Sequence, residues 1–340
     1  MAISRSMNTV GTVPVPRGGA QAESGRPMKI AIIGAGMIGR AWAICFARGG
    51  HQVALWNKTA GKAEEAIAYV ATVLPMLAEK DLLNGLTPEQ ILAALRVAPT
   101  MADALAHADY VQENVSENLE VKRAVYTEIE AHARPDAILA SSTSGLVPSG
   151  FTSHLAHPER CLVVHPLNPP YLIPAVDVVP SPATSPDVME RAVNLLRGCG
   201  QAPIRMQRED PGFLTIRIQG AIYHEAWRLV ASGLARAEDV DIAVREGLAL
   251  RWSFIGPFET ADLNAPGGIR DFVGRYGQLY QDLYPLGGPV SWDGALMDQV
   301  EADRRAALPM ADHKARQMWR DGRLIDLAAH KRAAARKDQA

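Results

Sequence analysis

The residues best suited to chemistry are a histidine and a carboxylate twelve positions apart, His165 and Asp177. His165 closes an apolar run, Cys161 to His165, and leads into Pro166-Leu167-Asn168-Pro169-Pro170, a stiff loop that would fix the direction of the ring. Asp177 sits inside a second apolar run, Ala175-Val176-Asp177-Val178-Val179. A carboxylate there is costly to bury unless it is paired. An Asp–imidazole pair sets the ring's tautomer and stabilises the imidazolium that forms when histidine accepts a proton, which is general-base chemistry. Two plainer readings stay open, an Asp177 that faces solvent on an edge strand and a His165 that is only structural. A hydroxyl-rich cluster, Ser141-Ser142-Thr143-Ser144, ends another apolar run.

Both clusters terminate strands, and ligands of open α/β sheets bind beyond the carboxyl ends of strands. The stretch Lys29 to Lys58 names the ligand class. An apolar strand, Ile30 to Ile33, runs into Gly34, Gly36 and Gly39 in the G-x-G-x-x-G spacing, with Met37 and Ile38 opening a helix. Gly34 permits the tight turn, Gly36 the approach of a pyrophosphate, and Gly39 close helix–strand packing. The helix N-terminus adds free N–H groups and positive dipole. A second strand, Val53 to Trp56, follows and ends at Asn57 rather than at the usual ribose-binding Asp or Glu. An amide lacks the charge that would repel a 2′-phosphate, and Lys58 and Lys62 would attract one. The run Asn57-Lys58-Thr59-x-x-Lys62 is similar to the Asn-Arg-Thr-x-x-Lys run of NADP-preferring 6-phosphogluconate and β-hydroxyacid dehydrogenases. The expected cofactor is therefore NAD(P), tipped from NAD toward NADP. The bland alternative is a solvated helix start whose lysines touch nothing.

A chain of 340 residues with 48% hydrophobic content has room for two domains with real cores. A formal net charge of −2 gives no reason to expect nucleic acid or a membrane surface as a partner. No apolar run approaches the ~18 residues of a membrane span. Cys45, Cys161 and Cys199 have no metal-ligand spacing and fit reduced core thiols of a cytoplasmic protein. Residues 1–27, rich in Gly and Pro, read as a disordered extension, with Met28 directly before the first strand. Strand and helix then alternate over 28–207, a Rossmann-type, doubly wound, mostly parallel α/β pattern. A helical arm is expected within it, Ala60 to Glu79 followed by a Thr87-capped helix over Pro88 to Leu95. Beyond Asp210-Pro211-Gly212 no strand is convincing, and Phe213 to Leu234 reads as one long helix. Residues 208–330 are therefore expected to be an all-α C-terminal domain, and 331–340 a basic tail that frays.

Several ordered motifs together resemble the 3-hydroxyacyl-CoA dehydrogenase superfamily. They are Gly34-Ala35-Gly36-Met37-Ile38-Gly39, Glu117-Asn118-Leu119, Ser141-Ser142-Thr143-Ser144, His165-Pro166-x-Asn168-Pro169 and Asp210-Pro211-Gly212-Phe213. Glu225-Ala226-Trp227-Arg228-Leu229-Val230 and Phe254-Ile255-Gly256-Pro257-Phe258-Glu259-Thr260 are similar to the lambda-crystallin / L-gulonate 3-dehydrogenase branch. Ser142 to Leu146 and Arg251-Trp252-Ser253-Phe254 also resemble L-carnitine dehydrogenases. The resemblance covers about 29–320. It implies that His165 removes a proton from a secondary alcohol while hydride passes to the nicotinamide, and that Ser144 holds the substrate oxygen. It places Asp177 where the family has a glutamate orienting the histidine, and Glu117 and Lys122 at the dinucleotide. It also implies a homodimer formed through the second domain.

Three departures stand out. Asp177 for Glu shortens a side chain by about 1.5 Å. Asn57 replaces the usual aspartate. Ile216 replaces an asparagine that would help polarise the substrate oxygen, and loss of such a donor can cost about 3 kcal/mol of transition-state stabilisation. Residues 63–97 carry only Lys80 and Arg96 against Glu64, Glu65, Glu79, Asp81 and Glu89, which argues against a coenzyme A thioester and for a free polar 3-hydroxy acid. Arg217 and Arg251 are candidates for its carboxylate, as is Asn168 for another polar group. Trp252 would suit the quaternary ammonium of a carnitine-like alternative.

Overall fold

A computed structural model describes residues 26–253, 256–266, 268–283, 295, 298, 302 and 309–337. Nearly all of the expected extension 1–27, and Phe254 and Ile255 of the branch motif, lie outside them. Eight strands form one sheet: β1 (Lys29–Ile33), β2 (Gln52–Trp56), β3 (Leu95–Val97), β4 (Tyr110–Glu113), β5 (Ile138–Ser141), β6 (Cys161–Pro166), β7 (Ala175–Pro180) and β8 (Ala202–Arg205). Their order is β3-β2-β1-β4-β5-β6-β7-β8. The first six strands run parallel. β7 is antiparallel to β6, and β8 pairs parallel with β7. Strand order reverses between β1 and β4, which is where a doubly wound sheet opens a ligand crevice.

Both faces of the sheet are covered. In β1, Ile30 and Ile32 enter one core cluster while Ala31 and Ile33 enter the other, the two-residue alternation of a strand buried on both sides. The first face carries α1 (Met37–Arg48), α2 (Lys62–Glu79), α3 (Pro88–Ala93) and, later in the chain, α7 (Pro186–Gly198). The other carries α4 (Met101–Leu105), α5 (Leu119–His132) and α6 (Pro148–Thr152). The Thr87 cap is a reciprocal box: Gln90 N–H donates to Thr87 Oγ1 at 3.3 Å and Thr87 N–H to Gln90 Oε1 at 2.8 Å. The helix ends at Ala93 rather than at Leu95, because Leu95 is drawn into the edge strand opposite Val53. Three residues are too few to show a strand period in sequence.

Helices α2 and α3 are held against the sheet. Ala66, Val70, Val73, Leu74 and Leu77 of α2 share the core of α1, and Ile325, 4% exposed, joins them from a final helix, His313–Lys337. Among the described residues, the compact unit built on the sheet therefore runs to Leu214 and resumes at Arg320, and the helical unit lies within Thr215–Trp319. The helical domain and the basic tail were expected over 208–330 and 331–340. The basic segment stays helical to Lys337 because Arg336 pairs with Asp81 at 2.6 Å and Lys80 with Asp326 at 3.1 Å.

The helical unit, described by itself, contains most of α8 (Phe213–Ala231), then α9 (Ala237–Ile242), a π-helical turn over Ala243–Leu248, α10 (Ala249–Trp252), α11 (Pro257–Leu263) and α12 (Gly268–Leu283). No helix among the described residues is long and apolar enough to cross a membrane. Cys45, Cys161 and Cys199 are free and buried. Burial pushes the Cys45 thiol up to about 11 and that of Cys161 to about 12, so neither is a ready nucleophile.

Candidate active site

The glycine turn has the shape a pyrophosphate needs. Gly34 has a φ of +96°, and a Cβ there would lie 2.8 Å from Asn114 O. A Cβ on Gly39 would lie 2.0 Å from Gly34 O, so this helix–strand contact admits only glycine. A Cβ on Gly36 would meet nothing within 4 Å. Gly36 is also the N-cap of α1 without a side-chain acceptor, so first-turn N–H groups face open space and fit a phosphate. Met37 is exposed, and Ile38 packs against the core.

Asn57 does more at this turn than remove a charge. Its Oδ1 accepts the Ala35 N–H at 3.0 Å and its Nδ2 donates to Thr59 O at 3.3 Å, which ties the glycine turn to the β2–α2 connection. An aspartate could accept from Ala35 but would set an anionic oxygen against the Thr59 carbonyl. Lys58 is exposed, whereas Lys62 pairs with Glu65 at 2.7 Å in a solvated geometry of small energetic weight.

The catalytic candidates lie at the carboxyl edge of neighbouring strands. His165 on β6 and Asp177 on β7 are directly opposite in the antiparallel register. Opposed residues project to the same face with Cβ atoms about 5 Å apart, so the shorter aspartate still reaches. His165 Nδ1 lies 3.2 Å from Asp177 Oδ2, with the imidazole 5% exposed and the carboxylate fully buried. This pairing leaves the opposite ring nitrogen, Nε2, as the one able to accept a proton. Phe213 packs its ring 5.6 Å from the imidazole. The Asp210-Pro211-Gly212 turn delivers it: Phe213 N–H donates to Asp210 O at 3.2 Å, and Phe213 is held at φ +49°. A non-glycine residue so placed costs about 1–3 kcal/mol, which its full burial offsets. Asn168, in the loop after His165, donates to Met37 Sδ at 3.3 Å and so stands beside the start of α1.

Ser144 follows β5 with its side chain exposed, while the turn around it is tightly bonded. Glu117 Oε1 accepts from Thr143 Oγ1 at 2.5 Å, Ser144 N–H at 3.1 Å and Gly145 N–H at 3.2 Å. Lys122 is buried beneath this turn. It is 1% exposed, and its ammonium meets both oxygens of Glu113 at 2.9 and 3.0 Å. Glu113 ends β4 and also accepts from Ser141 Oγ and Val115 N–H, each at 2.5 Å. Helix α5 turns this lysine, which resemblance sets at the dinucleotide, inward to neutralise a buried carboxylate.

One network escaped the sequence reading. Trp42 Nε1 on α1 donates to Ser142 Oγ at 3.0 Å, as does Gln112 Nε2 at 2.7 Å, and Ser142 Oγ donates to Asn114 Oδ1 at 2.7 Å. Gln112 Nε2 also reaches Val164 O at 3.3 Å, so the backbone beside His165 is tied to the helix of the glycine turn. Gln112 and Glu113 lie at the polar end of β4, Tyr-Val-Gln-Glu, where no apolar surroundings in the sequence mark them as buried.

Within the helical unit, Arg251 and Trp252 line one cleft with Thr260, Asn264, Phe272 and Tyr280. Arg217 is exposed and Ile216 half-buried on α8. Among the described residues no group of His, Cys, Asp and Glu could hold a metal ion.

Comparison with known proteins follows the same division. The 3-hydroxyacyl-CoA dehydrogenase NAD-binding domain matches residues 29–209, and the C-terminal domain of that family matches 212–290. The chain is 39% identical over 309 residues to the lambda-crystallin homolog of Bos taurus, covering 90% of this chain and 96% of that protein. It is 36% identical over 301 residues to an L-carnitine dehydrogenase of Burkholderia mallei, covering 88% and 92%. Among solved structures, a 5-formyl-3-hydroxy-2-methylpyridine 4-carboxylic acid 5-dehydrogenase, an NAD+-dependent dismutase, superposes with a TM-score of 0.76 at 27% identity, over 90% of this chain and 98% of that one.

Proposed function

Because the chain belongs to the 3-hydroxyacyl-CoA dehydrogenase family, in the branch of the lambda-crystallins, we propose that it oxidises the secondary alcohol of a free, polar 3-hydroxy acid resembling L-gulonate, with NAD(P) as cofactor. The observation that carries this reading is the in-register His165–Asp177 pair, 3.2 Å apart at the strand edge next to the Ser144 turn. Asp177 holds Nδ1 protonated and the ring in place, so Nε2 accepts the proton of the substrate hydroxyl. Ser144 holds the substrate oxygen. When bound, the nicotinamide supplies the hydride acceptor. As the proton arrives, the Asp177 carboxylate stabilises the imidazolium, and the Phe213 ring keeps one side of it dry.

Two features favour a free acid over a coenzyme A thioester. The two cations of residues 63–97 are already engaged, Lys80 with Asp326 and Arg96 with Asp103. Arg251, with Trp252 beside it, lines a cleft in the helical unit and offers a bidentate partner for a carboxylate. The L-carnitine reading is the alternative that Trp252 and the Burkholderia relative favour. Asn57 and exposed Lys58 extend the cofactor from NAD to NADP, since no carboxylate ends β2. Three free thiols suit a reducing, cytoplasmic setting. A homodimer belongs to the same proposal: Ile269, Val273, Tyr276, Leu279, Tyr280 and Leu283 recur at helical spacing along α12 and are all exposed in the single chain. A sedimentation mass of one chain at micromolar concentration would remove the dimer.

The test is turnover of L-gulonate, 3-hydroxybutyrate, L-carnitine and a 3-hydroxyacyl-CoA, each with NAD and NADP. Fastest oxidation of L-gulonate is expected. Tight dinucleotide binding without any turnover would instead leave a crystallin-like binding protein. In the same assay Asn57→Asp should move the NADP-to-NAD ratio of kcat/KM about tenfold toward NAD, as ~1.4 kcal/mol of charge repulsion would require. An unmoved ratio would remove Asn57 from cofactor choice.

A further inference from the structure

We propose that Arg48 and Gln201 are positioning residues of the loop that follows His165, fixing it against the helix of the glycine turn. The inference rests on the reading of His165 as the base. Residues 167–174 join β6 to β7. Asn168 is exposed there, whereas Pro169, Pro170, Tyr171 and Leu172 are buried. With Pro169, Pro170 and Pro174 in it, the loop has few N–H groups to satisfy its own buried carbonyls. Two side chains from distant parts of the chain supply the donors. Arg48, in the last turn of α1, donates from Nη1 to Tyr171 O at 2.8 Å. Gln201, between α7 and β8, donates from Nε2 to Pro170 O at 3.2 Å. Two consecutive carbonyls of the loop are thereby gripped.

Both donors are costly where they stand. Arg48 is 8% exposed and Gln201 6%. Arg48 directs its guanidinium at a neutral carbonyl, and its Nε, like Gln201 Oε1, has no hydrogen-bond partner among the described residues. A cation so buried, eased by the C-terminal dipole of α1, is a poor way to gain stability. What it secures is geometry. Helix α1 has 12 residues and is therefore about 16 Å long. At its first residue, Met37 Sδ accepts from Asn168 Nδ2 at 3.3 Å, so the loop touches α1 at both ends. Helix α2 adds a third tie: Tyr69 Oη lies 3.3 Å from Tyr171 Oη, and the Arg40 guanidinium of α1 lies 3.5 Å from the centre of the Tyr69 ring. The helix that would receive the dinucleotide and the strand end that carries the base are thus locked into one frame. Misplacing reacting groups by about 1 Å can cost on the order of 100-fold in rate.

Arg48→Met and Gln201→Leu test this, with Arg48→Lys keeping a cation that can reach a carbonyl. In Arg48→Met the kcat for the hydroxy acid should fall tenfold or more, with the dinucleotide KM within twofold, and Arg48→Lys should restore part of it. Gln201→Leu should lower kcat in the same way. The readout of the loop itself is amide hydrogen exchange of Leu172 and Ile173, whose N–H groups donate to Pro169 O at 3.0 and 2.9 Å. Measured on the full chain without cofactor, their exchange should quicken at least fivefold in Arg48→Met. Unchanged kcat below the melting temperature would overturn the inference, because Arg48 would then be structural only. Unchanged exchange beside a lowered kcat would overturn it too, since the loop would not be what Arg48 holds. Should Arg48→Met fail to fold, Arg48→Lys and Gln201→Leu decide by the same two measurements. Absence of all turnover in the unaltered chain would defeat the dehydrogenase reading, while exchange still decides whether Arg48 holds the loop.

Discussion

Replacing His165 with asparagine should lower kcat roughly 100- to 10,000-fold while the dinucleotide Kd stays within about twofold. Asparagine keeps an N–H that can face Asp177 Oδ2, now 3.2 Å from the imidazole, but it presents no nitrogen able to accept a proton. The substitution therefore removes the base and keeps the pairing. Cofactor affinity should hold because the pyrophosphate site is built from Gly34, Gly36 and the start of α1, on the other side of the strand-order reversal. Asp177→Asn should be milder in fold yet still costly in rate. An amide at the same place no longer stabilises the imidazolium and can orient the ring in the wrong tautomer. Stopped-flow turnover with the best substrate, beside fluorescence titration of the reduced dinucleotide, separates the two effects. An unaltered kcat in His165→Asn would end the general-base assignment.

How much of this was readable in the chain depends on whether a feature is local. The glycine turn was, because three residue types at fixed spacing between a strand and a helix leave few alternatives. The histidine and carboxylate were, because a charge inside an apolar strand demands a partner. Even the shortened Asp177 made sense only once β6 and β7 were seen in antiparallel register, which no spacing specifies. What stayed hidden was non-local or short. β3 has three residues, and the final helix returns to the sheet unit through a few apolar side chains after a long separate stretch. The Thr143–Gly145 nest gathers around a carboxylate from another loop. Lys122 has a partner that motif position does not give. Motif position brings it near a cofactor, but only the facing of α5 shows that its ammonium points down at Glu113.

That downward lysine gives the largest expected effect on stability. Lys122→Met keeps the length and apolar stem of the side chain and deletes the ammonium that meets both oxygens of Glu113. Both side chains are essentially inaccessible to water, at 1% and 0% exposure, so no solvent can replace the missing charge. Breaking a buried pair from one side costs about 3–5 kcal/mol, because the remaining ion is left uncompensated. For a unit of this size that corresponds to a fall in Tm on the order of 10 °C. Added salt should not mimic or mask the loss, since screening acts weakly on buried charges. The double variant Glu113→Gln with Lys122→Met discriminates between charge and packing. Glutamine is neutral and keeps an oxygen for Ser141 Oγ or Val115 N–H, both now held by Glu113. Once no unpaired charge remains, the double variant should recover more than half of the lost Tm. If the single variant melts with the wild type, the ammonium contributes nothing there. If the double variant melts lower than the single, the cost lies in the hydrogen bonds of Glu113 and not in its charge, and the buried ion pair is not what holds the base of the Ser144 turn.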